Sequence, residues 1–299
     1  MKQLAIIGPT ASGKSDLALF IAQKLDAYIL SIDSLSIYKK IDIVAAKPSK
    51  EELHAIKHFG INHLYPNEYF SVDIFINLYK EVTSLCKKEN KNLIIVGGTS
   101  FYLKMLLDGL SPLPNITKEI EQEVKKELLE IEKTYEMLKE IDPITMEKIT
   151  PTDSYRIEKM LLIYKASKIA PSVWFANNPP KSIIKNLPIY NIDVERKILR
   201  ERIVLRTQKM IDMGLIDEVC ELEQKYTRAP HAMNAIGIVE VLEYLDGKIT
   251  KEEMKELIIT HTAQLAKRQQ TFNKTQFKNI ISLPLEQLQD KIINDCLTF

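Results

Sequence analysis

The stretch Leu4-Ala5-Ile6-Ile7-Gly8-Pro9-Thr10-Ala11-Ser12-Gly13-Lys14-Ser15 decides the fold. Four apolar residues run straight into a turn of the form G-x-x-x-x-G-K-[ST], and a helical pattern carrying Ala18 and Ile21 follows. Strand, glycine turn and helix in that order make a phosphate-binding loop. Gly8 and Gly13 let backbone N–H groups turn inward on phosphate oxygens, the helix N-terminus adds positive potential, and Lys14 supplies a point charge. Pro9, Thr10, Ala11 and Ser12 complete the loop, and the Ser15 hydroxyl is the expected Mg²⁺ ligand.

Working outward, Tyr28–Ile32 and Leu93–Val96 are further short apolar runs, with a helical pattern around Val82 and Leu85 before the second. Strands alternating with helices predict a parallel sheet with helices on its faces, an α/β P-loop fold. The texture changes at Ser111-Pro112-Leu113-Pro114. Beyond it come a charged helical stretch, Lys118 to Glu140, and an interval broken by prolines from Pro143 to Pro188. Residues 112–186 therefore read as an all-helical insertion, and 1–111 with 187–299 as the catalytic core. Leu187–Val194 returns as a strand, and everything after Glu195 reads as mostly helical, with Gly214, Gly237 and Gly247 at helix ends or turns.

Composition narrows the class without choosing the reaction. The 299 residues are 45% hydrophobic and 27% charged, with 41 Lys plus Arg against 40 Asp plus Glu. That balance is a globular protein whose net charge of +1 neither attracts nor repels a polyanion, so any such site must come from local clustering. Cys86, Cys220 and Cys296 stand far apart, which matches neither a zinc site nor a disulfide framework and predicts a reducing compartment. No stretch has the length of a membrane span or of a secretory leader, so a cytoplasmic protein is expected.

The reaction must be read from what surrounds the turn. Hydrolytic P-loop enzymes end a core strand with an acid, yet Leu93–Val96 ends in Gly97-Gly98-Thr99. The strand-end acid beside the turn is Asp33, in Ser31-Ile32-Asp33-Ser34, at the sheet edge where open α/β folds bind ligands. Spacing alone reads Asp33 equally as a turn cap or as a catalytic base. Thr99 reads more readily as a turn hydroxyl.

These residues together resemble the tRNA dimethylallyltransferases, also called tRNA isopentenyltransferases or IPP transferases. The match runs through GPTASGKS (Gly8–Ser15), SIDSLSIYKKIDI (Ser31–Ile43), AAKP ending at Pro48, and VGGTSFYLKMLLDGLSPLP (Val96–Pro114). It continues through Asp153, Arg156 and Lys159, ERKILRERIVLR (Glu195–Arg206), MGLIDEV (Met213–Val219) and QLAKRQQTF (Gln264–Phe272), nearly the whole chain. The resemblance implies transfer of a dimethylallyl group from dimethylallyl diphosphate to N6 of the adenosine 3′-adjacent to the anticodon (position 37), in tRNAs reading codons that begin with U. Asp33 is then the base, Thr99 hydrogen-bonds nearby, and Lys14, Mg²⁺ and the P-loop amides hold the leaving diphosphate. A monomer acting on a tRNA anticodon stem-loop is expected.

The same resemblance sets Asp33, Ser34, Leu35, Ser36 and Thr99 against the flipped base. It sets Lys267, Arg268, Gln269, Gln270, Thr271, Phe272, Asn273 and Lys274 against the anticodon loop, with Tyr155, Arg156 and Lys159 as a second contact. Taken by itself, the 267–274 window reads more readily as a solvated helix face. Arg196, Arg202 and Arg206 stand near helical spacing and either close over the diphosphate, the role expected for Arg206, or form i,i+4 ion pairs. The chain departs from the family pattern at Val44-Ala45, Glu121, Asn234 and Val239. Two other readings remain: a small-molecule kinase with ATP in the turn, and a non-catalytic RNA-binding regulator.

Overall fold

In the structure, a computed structural model describing residues 1–297, the first strand is buried on both faces, with Leu4, Ala5, Ile6 and Ile7 each at most 4% exposed. That burial suits the centre of a parallel sheet covered on each side by helices. The chain runs β1 (Gln3–Ile7), α1 (Lys14–Leu25), β2 (Ala27–Ser31), α2 (Lys50–Ala55), β3 (His58–Phe59), α3 (Val72–Lys88), β4 (Asn92–Gly97) and α4 (Ser100–Asp108). All strand pairs are parallel, in the order β3-β2-β4-β1-β5-β6. Register sets Ile7 of β1 opposite Gly97 of β4, and Ser31 of β2 opposite Val96. The P-loop, Gly97-Gly98-Thr99 and Asp33 thus emerge at one edge, with β4 between the other two.

The second part of the sheet follows a helical excursion. β5 (Ile189–Ile192) pairs with β1 and is followed by α10 (Arg196–Asp212), α11 (Leu215–Tyr226), α12 (Ile238–Leu245) and α13 (Lys251–Gln276). The run closes with β6 (Ile280–Leu283) and α14 (Leu285–Leu297). β6 was not legible in the sequence: Ile280-Ile281-Ser282-Leu283 has no alternation and follows a 26-residue helix. It forms because β5 leaves an edge that Ile280–Leu283 pairs in register with Ile189–Ile192.

The chain divides into two compact units, residues 1–104 with 184 onward, and Met105–Ile183. The second unit holds α5 (Lys118–Glu127), α6 (Ile131–Ile141), α7 (Pro143–Met146), α8 (Ser154–Ser167) and α9 (Pro171–Asn177). It has its own core of Val124, Tyr135, Leu138, Met146, Ile157 and Leu161. The Tyr135 hydroxyl donates to the Ile149 carbonyl at 3.1 Å, and Lys165 bridges Glu123 and Glu127. No described helix is long and apolar enough to cross a membrane.

Candidate active site

The P-loop turns because two of its residues take left-handed backbone, Ala11 at φ 61° and Gly13 at φ 87°. Gly13 is the N-cap of α1, and a side chain there would be strained as well as crowded against Leu285. The Lys14 ammonium donates back to the Pro9 carbonyl at 3.2 Å, folded over its own loop. Burial pushes its pKa down to about 8; Asp33 pulls it up again and Arg206 opposes Asp33. Burial likewise lowers Arg206, with Asp33 pulling it back. Lys14, Arg206 and Asp33 therefore sit within one electrostatic neighbourhood although three elements supply them.

Asp33 caps its own turn. Its Oδ1 accepts the Leu35 and Ser36 N–H groups at 2.9 and 3.1 Å, an Asx-type turn that fixes the carboxylate at the end of β2. Among the described residues Oδ2 has no hydrogen-bond partner, and the side chain is partly exposed. The cap holds one oxygen still and leaves the other without a partner. Thr99 joins β4 to this turn, accepting the Ser34 N–H at 3.3 Å and donating to the Ser34 hydroxyl at 3.4 Å.

Two adjoining cavities surround these groups. The smaller, about 70 Å³, is lined by Thr10, Lys14, Ser15, Asp33 and Arg206. The larger, about 380 Å³, has Asp33, Ser34, Leu35 and Thr99 on one side, the rings of Tyr38, Phe70 and Tyr102, and Arg206, His231 and Asn234. Thr10, Asp33, Ala45 and Arg206 line both. One compartment is thus lined by Lys14 and Arg206, the other is broad and aromatic, and the carboxylate stands at their junction. A sequence profile described as IPP transferase matches residues 36–276, a range that begins after the P-loop and Asp33 and takes in Tyr38, Phe70, Thr99, Tyr102 and Arg206 of the cavity walls.

The chain belongs to the IPP transferase family. It is 66% identical over 294 residues to the tRNA dimethylallyltransferase of Sulfurimonas denitrificans, covering 98% of this chain and 99% of that one. It is 56% identical to that of Nautilia profundicola, covering 97% and 99%. Among solved structures, a eukaryotic dimethylallyltransferase acting on tRNA superposes with TM-score 0.84 at 25% identity, covering 100% of this chain and 80% of that one. The tRNA Δ(2)-isopentenylpyrophosphate transferase of Staphylococcus epidermidis does so with TM-score 0.71 at 29% identity, covering 100% and 99%. Like these relatives, the IPP transferase described above is a tRNA-modifying transferase with an α/β fold.

The remaining predicted residues divide by the face they occupy. On α13, Lys267, Arg268, Thr271 and Lys274 are exposed. Gln269 instead accepts the Thr10 N–H at 2.8 Å, tethering the P-loop, and lies so close to Gly98 that a β-carbon there would come within 2.5 Å of Nε2. Gln270 donates to the Val194 carbonyl at 3.0 Å. Asn273 is buried and donates to Asn191 at 2.9 Å, and Phe272 meets Phe277 edge-on. In the second unit, Tyr155 is exposed with the Lys159 ammonium 5.5 Å from its ring, while Arg156 pairs with Asp153, the N-cap of α8. Arg202 reaches the Ser12 carbonyl at 3.5 Å, and none of Arg196, Arg202 or Arg206 is in an ion pair among the described residues.

Glu218 and Lys47, which stand in the MGLIDEV and AAKP segments with no role assigned from sequence, brace the wall between the cavities. The Glu218 carboxylate of α11 accepts three successive N–H groups, from Asp42, Ile43 and Val44, at 2.9, 2.8 and 3.0 Å. The Lys47 side chain, only 4% exposed, donates to the Tyr38 carbonyl, Asp42 and Asn62 at 2.5–2.7 Å. Burial lowers its pKa against the pull of Asp42, Glu218 and Asp33. Residues 42–48 carry Val44 and Ala45 to the site, so their position depends on these two charges.

Proposed function

We propose that the enzyme transfers a dimethylallyl group from dimethylallyl diphosphate to N6 of the adenosine 3′-adjacent to the anticodon in tRNAs reading codons that begin with U. The observation that carries this reading is the position of Asp33, with one oxygen held by its turn and the other free, between a cationic cradle and a broad aromatic cavity. The exocyclic amine is a weak nucleophile because its lone pair is delocalised into the purine, so the reaction needs alignment and a proton acceptor. The N6–C1 bond forms as the C1–O bond breaks, the electron pair leaves with diphosphate, and Asp33 Oδ2 takes the N6 proton. Charge grows on the leaving oxygens, where Lys14, Arg206 and the loop amides stabilise the transition state more than the ground state.

The target base must leave its stack to reach Asp33, and Tyr38, Phe70 and Tyr102 give the larger cavity aromatic walls against which it packs. The Ser15 hydroxyl, exposed at the start of α1 and lining the smaller cavity, fits Mg²⁺ held mainly by substrate oxygens. No cluster of three or more His, Cys, Asp or Glu suited to a metal occurs among the described residues, so a bound ion would draw its other ligands from diphosphate and water. When bound, Mg²⁺ would neutralise charge on the diphosphate. One chain supplies cradle, base and cavity, which supports action as a monomer, and tRNA as substrate supports a cytoplasmic location. Incubation with tRNA, Mg²⁺ and dimethylallyl diphosphate, followed by nucleoside mass analysis, should reveal adenosine heavier by one C5 unit. Absence of that product would remove the reading.

A further inference from the structure

A groove of about 190 Å³ lies between α10 and α13, apart from both compartments of the active site except for Ile203, which it shares with the larger one. Its floor is apolar, Leu199, Ile203 and Ala263, and its rim carries Arg196, Arg200 and Lys267. All three cations are exposed, and among the described residues none lies within ion-pair distance of a carboxylate. Elsewhere the molecule pairs its cations readily: Lys165 has two glutamates, and Arg228 has Glu223 and Asp246. In a chain of net charge +1, three unpaired cations around one hollow are a local concentration that the global balance does not require.

Two continuities say what this concentration serves. Lys267 also borders a shallow hollow shared with Arg268 and Thr271, so the cationic track runs on along α13. Leu199 and Ile203 belong to the cluster against which Ala11 of the P-loop packs, so the groove floor is one layer of side chains from the diphosphate cradle. The cradle has its own cations, Lys14 and Arg206, and does not need these. A positive rim over an apolar floor fits a nucleic-acid strand, with phosphates on the guanidinium and ammonium groups and a ribose or base face below.

We propose that the α10–α13 groove seats the sugar-phosphate backbone of the tRNA beside the reacting nucleotide, with Arg196, Arg200 and Lys267 each neutralising a phosphate. This rests on tRNA being the substrate. The test is the affinity of the full-length enzyme for unmodified tRNA across a salt series, for wild type, Arg196→Gln/Arg200→Gln and Arg196→Lys/Arg200→Lys. Each lost phosphate contact lowers the slope of log affinity against log salt by about 0.7–0.9, so the Gln pair should flatten it by about 1.5 and the Lys pair should retain it. Affinity for inorganic diphosphate, which reports the cradle, should keep its wild-type value. If the double variant does not fold, each single Gln variant should flatten the slope by about 0.8. An unchanged slope in correctly folded Gln variants overturns the proposal and assigns the cations to some other partner. A wild-type enzyme that shows no salt-dependent tRNA binding would overturn the tRNA reading instead.

Discussion

Lys14 ties substrate binding to pH in a way that can be worked out from its surroundings. Burial holds its pKa at about 8 against an ordinary 10.5, with Asp33 favouring the charged form and Arg206 opposing it. An anionic ligand binds the ammonium form and raises its pKa, so apparent affinity is full below pH 8 and falls as pH rises above it. With that pKa, roughly a tenth of Lys14 is neutral at pH 7 and roughly nine-tenths at pH 9, which weakens binding about tenfold, or ~1.4 kcal/mol. The assay is calorimetric titration with a non-reactive alkyl diphosphate at pH 7, 8 and 9, in buffers of different ionisation enthalpy. Near pH 8 each binding event should take up about half a proton. Lys14→Arg keeps its charge throughout and should give a flat profile. Equal affinities at pH 7 and 9, with no proton uptake at pH 8, would refute the reasoning. Stability runs the opposite way. Because the folded pKa lies below the unfolded one, holding Lys14 charged penalises the fold below pH 8, and the penalty lifts between pH 8 and 10.5. Lys14→Met should therefore raise Tm at pH 7 while abolishing diphosphate binding.

Asp33→Asn keeps an Oδ1 to accept the Leu35 and Ser36 N–H groups but removes the proton acceptor, so kcat should fall by about 10²–10⁴ with little change in Tm. A drop in Tm comparable to that of Asp33→Ala would show that the carboxylate is chiefly structural. Glu218→Ala leaves three N–H groups of the 42–44 turn without their acceptor and should cost about 2–4 kcal/mol in urea unfolding, with Glu218→Gln recovering part of it; a neutral Glu218→Ala contradicts the bracing role. Gly98→Ala places a β-carbon on the Gln269 amide and should cut the tether to Thr10 as Gln269→Ala does. The two changes combined should then weaken diphosphate binding no more than either alone, and full additivity would mean that they act separately.

The pattern of what the sequence disclosed follows from the range over which each signal acts. The P-loop is a contiguous motif, and Asp33 follows a strand whose apolar run is self-evident, so both could be placed from short windows. The Glu218 brace joins residues 174 to 176 positions apart and leaves no local trace. Residues 267–274 show a different limit. Eight residues make more than two helical turns, so they cannot all face one ligand. The structure turns Lys267, Arg268, Thr271 and Lys274 outward and spends Gln269, Gln270 and Asn273 on the P-loop, the end of β5 and the core.

The question left open for Asp33, cap or base, is likewise one that composition and spacing have no means to decide, because it turns on two oxygens of one carboxylate having different neighbours: Oδ1 makes the cap, and the role of base is the one proposed above for Oδ2. Strand order then gives that carboxylate its distance from the cradle. With β4 inserted between β1 and β2, the ends of the P-loop strand and the Asp33 strand are two strand spacings apart, about 10 Å. A carboxylate meant to orient water on a bound phosphate would gain by being nearer. A separation of that size instead leaves the room that the proposed reaction needs, with an allylic carbon and an exocyclic amine between the diphosphate and the carboxylate, and Thr99, in the turn that follows the intervening strand, ties the Asp33 turn to the middle of that gap.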